Sequence, residues 1–313
     1  MVSNQKKAYI YGLIAIFFWS TVASAFKIAL QYNSPPAMLL LASFFSLLVL
    51  IIIAASQNKI SLLWQSSPHL LRQASLLGVL NPFLYYLILL QAYNLLPAQI
   101  AQPLNYTWAI MVALLSIFIQ KQKLRYFDIV ALLLCYSGAA VISSGGGKLG
   151  EINHTGVFLA LFSSIVWAFY WIYNAGIRLD PLIKLIANFF CGSLLILGYC
   201  LITGDLPIFS VKSILSALYL GIFEMGLTFV FWLKAMELTE KTVRISNLIF
   251  LSPFLSFIFI TLTLKEPIAW TSIAGLIFIT SGILFQHSKA GKLKKLEQNQ
   301  FSNSSSSSSS TSS

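Results

Sequence analysis

The sequence predicts an all-α integral membrane protein with ten transmembrane helices, arranged as two inverted five-helix repeats. Composition supports the membrane class: 58% of the 313 residues are hydrophobic and 9% are charged, whereas soluble domains carry about 25% charged residues. Ten apolar stretches also approach the roughly 20 residues that a membrane-spanning helix needs. The third observation is that the second half of the chain resembles the first at a shift of 144 residues.

The apolar stretches define the predicted spans. They cover residues 8–30, 36–56, 73–95, 98–119, 126–144, 155–175, 181–203, 213–235, 243–263 and 270–287. Most connections are short, so no sizeable soluble domain is expected. The longer connection at 57–72 is predicted to lie along the membrane interface.

The internal repeat predicts the orientation of the two halves. Matching pairs at a shift of 144 include Gly12 and Gly156, Lys121 and Lys265, and Gly138 and Gly282. Each copy has an odd number of spans, so the second copy enters the membrane upside down. Inverted repeats with a site at their interface are typical of secondary transporters. We therefore expect a first repeat at 1–144, a loop at 145–154, a second repeat at 155–287, and a basic, then serine-rich, disordered tail at 288–313.

The distribution of basic residues predicts the topology. With the N-terminus inside, the inner segments hold 16 Lys and Arg residues and the outer segments hold 4. The positive-inside rule therefore predicts that both termini are cytoplasmic. We expect the chain to lie in the inner (plasma) membrane. The same rule accounts for most of the net charge of +11. No nucleic-acid partner is expected.

Glu224 is the only acidic residue deep inside a predicted span. A carboxyl group there must be protonated, paired or exposed to a wet cavity, since contact with hydrocarbon is costly. One hypothesis is that Glu224 binds an amino group of the substrate or takes up a coupling proton. The alternative is a structural acid that pairs helices. Asn81 occupies the equivalent position in the first repeat, at a local shift of 143 and not 144 residues, and it precedes Pro82. We expect Asn81 to lie near Glu224 at the pseudo-two-fold axis. The alternative is that its amide bonds a neighbouring helix.

Further candidate substrate-binding residues combine aromatic rings with amides and a hydroxyl on the first, fourth and sixth spans. They are Ser20, Gln102, Asn105, Tyr106, Trp108, Trp167 and Trp171. Such a set suits a pocket for a small, partly apolar solute. The alternative for the aromatic residues is anchoring at the membrane interface or contact with lipid.

Several chemistries are disfavoured by the sequence. Basic residues are absent from the middle of the predicted spans, whereas phosphorylated substrates normally require Arg or Lys clamps. No phosphate-binding loop motif occurs, so no ATP-driven motor is expected. The histidines and cysteines share no ligand spacing, and we expect neither a metal site nor a cofactor.

Three stretches of the chain resemble the drug/metabolite transporter superfamily, specifically its EamA-type members. They are GLIAIFFWST at 12–21, LNYTWAIMVALLSI at 104–117 and SPFLSFIFITLTLKEPIAWTSIAGLIFITSGI at 252–283, and the resemblance extends over about 8–287. It implies a carrier that exports metabolites such as amino acids through a central cavity lined by both repeats. The first copy departs from the pattern at Ala109, where proline is usual, and at Gln122, which replaces a glutamate.

The sequence therefore predicts a secondary transporter, not an enzyme, that works by alternating access. Its expected partners are a small neutral-to-zwitterionic metabolite such as an amino acid, the lipid bilayer and possible coupling protons. The chain is expected to be a monomer or a homodimer. Two alternatives are a membrane-embedded enzyme acting on a lipid and a passive small-solute channel.

Overall fold

The structure of the protein is a computed structural model that describes residues 2–119, 126–144, 151–239, 245, 247–285 and 288–289. All regular secondary structure within these residues is helical. The predicted loop at 145–154 and the predicted tail at 288–313 fall largely outside the described residues. The all-helical class is confirmed for the part of the chain that the structure describes.

Ten apolar helical segments follow one another in the described part of the chain. They are α1 (Val2–Ala29), α2 (Pro35–Ser56), α3 (Pro68–Leu95), α4 (Ala98–Ile119), α5 (Tyr126–Ser143), α6 (His154–Gly176), α7 (Pro181–Thr203), α8 (Val211–Leu238), α9 (Leu248–Leu264) and α10 (Trp270–Phe285). The first eight are long and apolar enough to cross a membrane, whereas α9 and α10 are shorter. The first eight predicted spans therefore correspond to helices of spanning length. Membrane crossing by α9 and α10 stays a prediction.

The connection between α2 and α3 is partly helical. A short helix, Ser61–Gln65, carries Trp64, whose side chain is 88% exposed. Helix α3 then begins at Pro68, earlier than the predicted start at residue 73. Proline favours the first turn of a helix because its missing N–H would have had no intrahelical acceptor there.

Helices α3 and α8 are both interrupted near their middle. A π-helical turn spans Val79–Leu84 in α3 and another spans Leu220–Glu224 in α8. Asn81 has extended backbone angles (φ −140°, ψ 118°) within the first turn, beside Pro82, which has no N–H to donate. The two breaks therefore occur at equivalent positions of the repeat and contain Asn81 and Glu224.

The helix contacts of one half have counterparts in the other. Helix α1 packs on α8 and α9, and α6 packs on α3 and α4. Helix α2 contacts α7 and α8, and α7 contacts α2 and α3. Exchanging α1–α5 with α6–α10 reproduces this set of contacts.

Glycines allow close approach where the broken helices cross their neighbours. A Cβ atom on Gly78 of α3 would lie 2.4 Å from the Asn188 carbonyl oxygen on α7. A Cβ atom on Gly221 of α8 would lie 2.6 Å from the Ala42 carbonyl oxygen on α2. Small residues at such crossings bring two backbones into direct contact. At both crossings the broken helix lies in direct contact with the backbone of its neighbour.

Candidate functional site

A cavity of about 430 Å³ lies between α1, α3 and α4 on one side and α6, α8 and α9 on the other. At one end its lining residues Tyr93 and Gln102 are buried. Near the opposite end Ala175 is exposed, and Ser116 and Met236 are half-buried. The cavity is therefore closed toward the start of α4 and opens toward the carboxyl ends of α4, α6 and α8.

Most of the predicted site residues lie on the wall of this cavity. They are Gln102, Asn105, Tyr106, Trp108, Trp167, Trp171 and Glu224. Asn81 and Ser20 are not among the lining residues. The Asn81 side chain is fully buried within the break of α3, and the Ser20 hydroxyl donates to the Ile16 carbonyl oxygen at 2.6 Å within α1. The expected proximity of Asn81 and Glu224 stays a prediction, and the carboxyl group has a hydrogen-bond partner other than Asn81.

That partner is Tyr86, whose hydroxyl donates to Oε1 of Glu224 at 3.1 Å. The Glu224 side chain is 7% exposed, and its Oε2 atom has no hydrogen-bond partner among the described residues. The carboxyl group thus has one donor from the protein and one oxygen available to a ligand or a proton.

A continuous cluster of aromatic rings surrounds the cavity. Trp167 stacks on Tyr85 with 4.2 Å between ring centroids and lies 6.2 Å from Phe229. Trp19 extends the cluster, at 5.6 Å from Phe229 and 5.3 Å from Trp232. These contacts join α1, α3, α6 and α8 through rings alone. The cavity wall is therefore suited to a flat apolar group.

Sequence reasoning did not select Tyr85, Tyr86, Phe229 or Trp232 as site residues. A signal existed for Tyr86 and Phe229, since Phe229 stands 143 residues after Tyr86, just as Glu224 stands 143 residues after Asn81. Tyr86 follows Asn81, and Phe229 follows Glu224, by the same five residues. Comparing aromatic residues at equivalent positions after the two breaks would have found this pair.

Two amides on α4 connect helices across the cavity. The Tyr85 hydroxyl donates to Oδ1 of Asn105 at 3.2 Å, and Nδ2 of Asn105 donates to the Ser163 hydroxyl at 2.9 Å. The Tyr93 hydroxyl donates to Oε1 of Gln102. Asn105 therefore joins α3, α4 and α6 and has both of its polar atoms engaged.

A polar network, here named the seal, closes the end of the cavity near the start of α4. The Glu266 carboxylate, in the α9–α10 loop, accepts hydrogen bonds from the backbone N–H groups of Ala98 (3.2 Å) and Gln99 (3.4 Å). The Gln99 side chain donates to the Pro267 carbonyl oxygen at 2.9 Å and accepts from the Ala269 N–H at 2.7 Å. The first turn of a helix has free N–H groups and favours an anion. The seal thus fastens the first turn of α4 to the α9–α10 loop.

The sequence profile of the EamA-like transporter family matches residues 6–144 and 154–286. The chain belongs to the EamA-like transporter family. Together with the apolar helices, this membership makes the protein a multi-pass membrane transporter. The family profile matches once in each half of the chain, in agreement with the repeat and with the resemblance noted in the sequence.

Other family relatives are similar over most of their length. An uncharacterized transporter of Clostridium kluyveri is 27% identical over 96% of this chain and all of its own. The aromatic amino acid exporter YddG of Ancylobacter novellus is 25% identical over 73% of this chain and 79% of its own. A solved crystal structure matches with a TM-score of 0.64 at 21% identity, covering 92% of this chain and 99% of that one. That likeness concerns the fold.

Proposed function

We propose that this transporter is a secondary carrier that works by alternating access between two inverted five-helix repeats, at 1–144 and 155–287. It exports small amphipathic metabolites, amino acids or related compounds, across the inner membrane. Both of its termini are cytoplasmic. The observation that carries this proposal is the cavity itself, which lies between helices of the two halves and contains a buried carboxyl group at Glu224.

The symmetry of the helix contacts supports the inverted arrangement. The contacts of α1 with α8 and α9 and those of α2 with α7 and α8 have counterparts made by α6 and α7. Two copies in opposite orientation can exchange the closed and open ends of one cavity by equivalent movements. With the topology that the basic residues predict, the seal lies on the outer side and the cavity opens toward the cytoplasm. An exporter loads its substrate in that state.

The composition of the cavity wall supports a partly aromatic substrate. Trp19, Trp167 and Trp171 provide apolar faces, while Asn105 and Glu224 provide a few polar atoms. A relative is named an aromatic amino acid exporter. Glu224 also has a free carboxyl oxygen that can hold a coupling proton. These observations favour an amphipathic solute and a proton-coupled cycle.

Counterflow in proteoliposomes tests the carrier. Vesicles containing the full chain are loaded with one member of a panel of amino acids and metabolites, and uptake of its labelled form is measured between pH 5.5 and 8.5. Saturable, trans-stimulated uptake is expected for the wild type, and a pH-independent rate for Glu224→Gln. Glu237→Gln is the matched control, because Glu237 lies on the same helix, is exposed and pairs with Lys234 at 3.0 Å.

Two results would contradict parts of the proposal. Unsaturable flux with no trans-stimulation would indicate a channel in place of a carrier. A Glu224→Gln variant with the full rate and the full pH dependence of the wild type would remove proton coupling through this residue, while the carrier itself would stand.

A further inference from the structure

We propose that the cavity selects aromatic ammonium ions without a carboxylate, in preference to the parent amino acids. The inference rests on the proposed function, because it assigns a substrate class to the same cavity.

The charge of the cavity wall has one sign. Glu224 is the only charged side chain among the described residues that line the cavity. Its Oε1 atom accepts the Tyr86 hydroxyl at 3.1 Å, whereas its buried Oε2 atom has no hydrogen-bond partner. A buried carboxylate is stable only when it is paired and hydrogen-bonded. A protonated amine would supply both the opposite charge and the missing donor.

The rings around Glu224 favour the same ligand. Tyr86, which holds the carboxyl group, lies 4.8 Å from Tyr85 and 6.5 Å from Trp167 between ring centroids. The faces of Trp and Tyr attract cations as well as apolar rings. A compound with an ammonium group on a short linker from an aromatic ring can therefore place its charge at Glu224 and its ring among these side chains.

A carboxylate on the ligand would find no cationic partner on the described wall. Lys27, a basic residue near the closed end, is not on the wall, and its Nζ atom donates to the carbonyl oxygens of Tyr93 (2.9 Å) and Leu96 (3.1 Å). The Asn105 amide is engaged by Tyr85 and by the Ser163 hydroxyl. A zwitterion must therefore lose the hydration of its carboxylate without an ion pair in return, next to the charge of Glu224.

The size of the cavity is compatible with a bicyclic amine. Its volume of about 430 Å³ lies within the range of about 300–1,000 Å³ that small-ligand sites occupy. The indole series provides matched probes with one ring and different charges: tryptamine is a cation, tryptophan a zwitterion and indole-3-propionate an anion at neutral pH. Because the ring is the same, differences in binding affinity within the series measure the effect of the charged groups.

The experiment measures binding of the three probes to the purified full chain, together with counterflow of labelled tryptamine. Tryptamine is expected to bind more tightly than tryptophan by about tenfold or more, a factor that corresponds to about 1.4 kcal/mol. Indole-3-propionate is expected to bind most weakly. Glu224→Gln is expected to bring tryptamine and tryptophan within about threefold of each other, and Glu237→Gln to retain the wild-type order.

Each outcome separates this inference from the carrier proposal. If counterflow is observed but tryptophan binds as tightly as tryptamine, or if none of the probes binds, the proposed selectivity is wrong and the carrier proposal stands. The expected order of binding without trans-stimulated flux supports the selectivity and contradicts the carrier. The order of the three probes is measured on the wild type, so it remains decisive even where Glu224→Gln fails to fold.

Discussion

The middle of α3 and the middle of α8 occupy equivalent positions of the repeat and have the same kind of backbone break. The side chains at the two breaks, however, lie in different surroundings. Both helices break in a π-helical turn, and both rest on a neighbouring helix through a glycine, Gly78 or Gly221. Asn81 is buried in its break and is not part of the cavity wall, whereas Glu224 lies on that wall. The two breaks therefore have similar backbones. They differ in the polar group that each contains, which is an amide in α3 and a carboxyl group on the cavity wall in α8.

Breaking the shared scaffold is expected to have the largest effect. Gly78→Val places a Cβ atom where the Asn188 carbonyl oxygen would be 2.4 Å away, and Gly221→Val creates the same conflict at 2.6 Å from Ala42. Overpacking costs about 1–3 kcal/mol, and contact with backbone cannot be relieved by changing a rotamer. Both variants should lose most of their monodisperse, heat-resistant fraction in size-exclusion chromatography. Gly198→Ala on α7 is the control, since nothing lies within 4 Å of its Cβ position.

Equal losses for the two valine variants would establish that the breaks contribute equally to the scaffold. If either variant melts like the wild type, its helix crossing is not closely packed, and the role proposed for that glycine in the scaffold is wrong.

Removing the donor to Glu224 is expected to have an intermediate effect. Tyr86→Phe deletes the hydrogen bond of 3.1 Å to the carboxyl group but keeps the ring among its aromatic neighbours. A hydrogen bond contributes about 1 kcal/mol, so kcat/KM for counterflow should fall about fivefold. Tyr170→Phe removes another buried hydroxyl, which lies 3.0 Å from the Asn188 amide and outside the cavity wall. A similar fall in both variants would assign the loss to buried hydroxyls in general and not to Glu224.

Truncating the residue opposite Glu224 in the repeat is expected to have the smallest effect. Asn81→Ala removes an amide that forms no hydrogen bond of good geometry and does not line the cavity. The KM for counterflow should therefore change by less than about twofold. A loss as large as that of Tyr86→Phe would support the hypothesis that Asn81 contributes to the binding site.

The sequence predicted the helices well because lipid leaves few alternatives for an apolar chain. The sequence also singled out Glu224, Trp167 and Trp171, which lie on the cavity wall. An acidic residue within an apolar span and aromatic residues at helical spacing can be recognised from the sequence alone. The break in α8 was not predicted, because Leu220–Glu224 contains no proline to mark it. Its alignment in the repeat with Asn81 and Pro82 of α3 is the sequence feature that points to it.

Other parts of the site depend on contacts between distant segments. The pairing of Tyr86 with Glu224 joins residues 138 positions apart, and neither hydropathy nor spacing specifies it. Ser20 was selected by its position on a helical stripe, but its hydroxyl bonds to Ile16 within its own helix. Serine can form this local bond wherever a helix is buried, so its polarity alone is a weak indicator of a binding site.

The seal at Glu266 and Gln99 is made of hydrogen bonds, and this has a consequence for the energy of switching. If α4 separates from the α9–α10 loop in the proposed transport cycle and water reaches the freed groups, each lost bond is exchanged for one to solvent. The net cost is about 1 kcal/mol for each bond, in place of about 4–6 kcal/mol in hydrocarbon. The closed and separated arrangements of such a network therefore differ by only a few kcal/mol in free energy. The binding of one small substrate molecule can reverse a difference of that size.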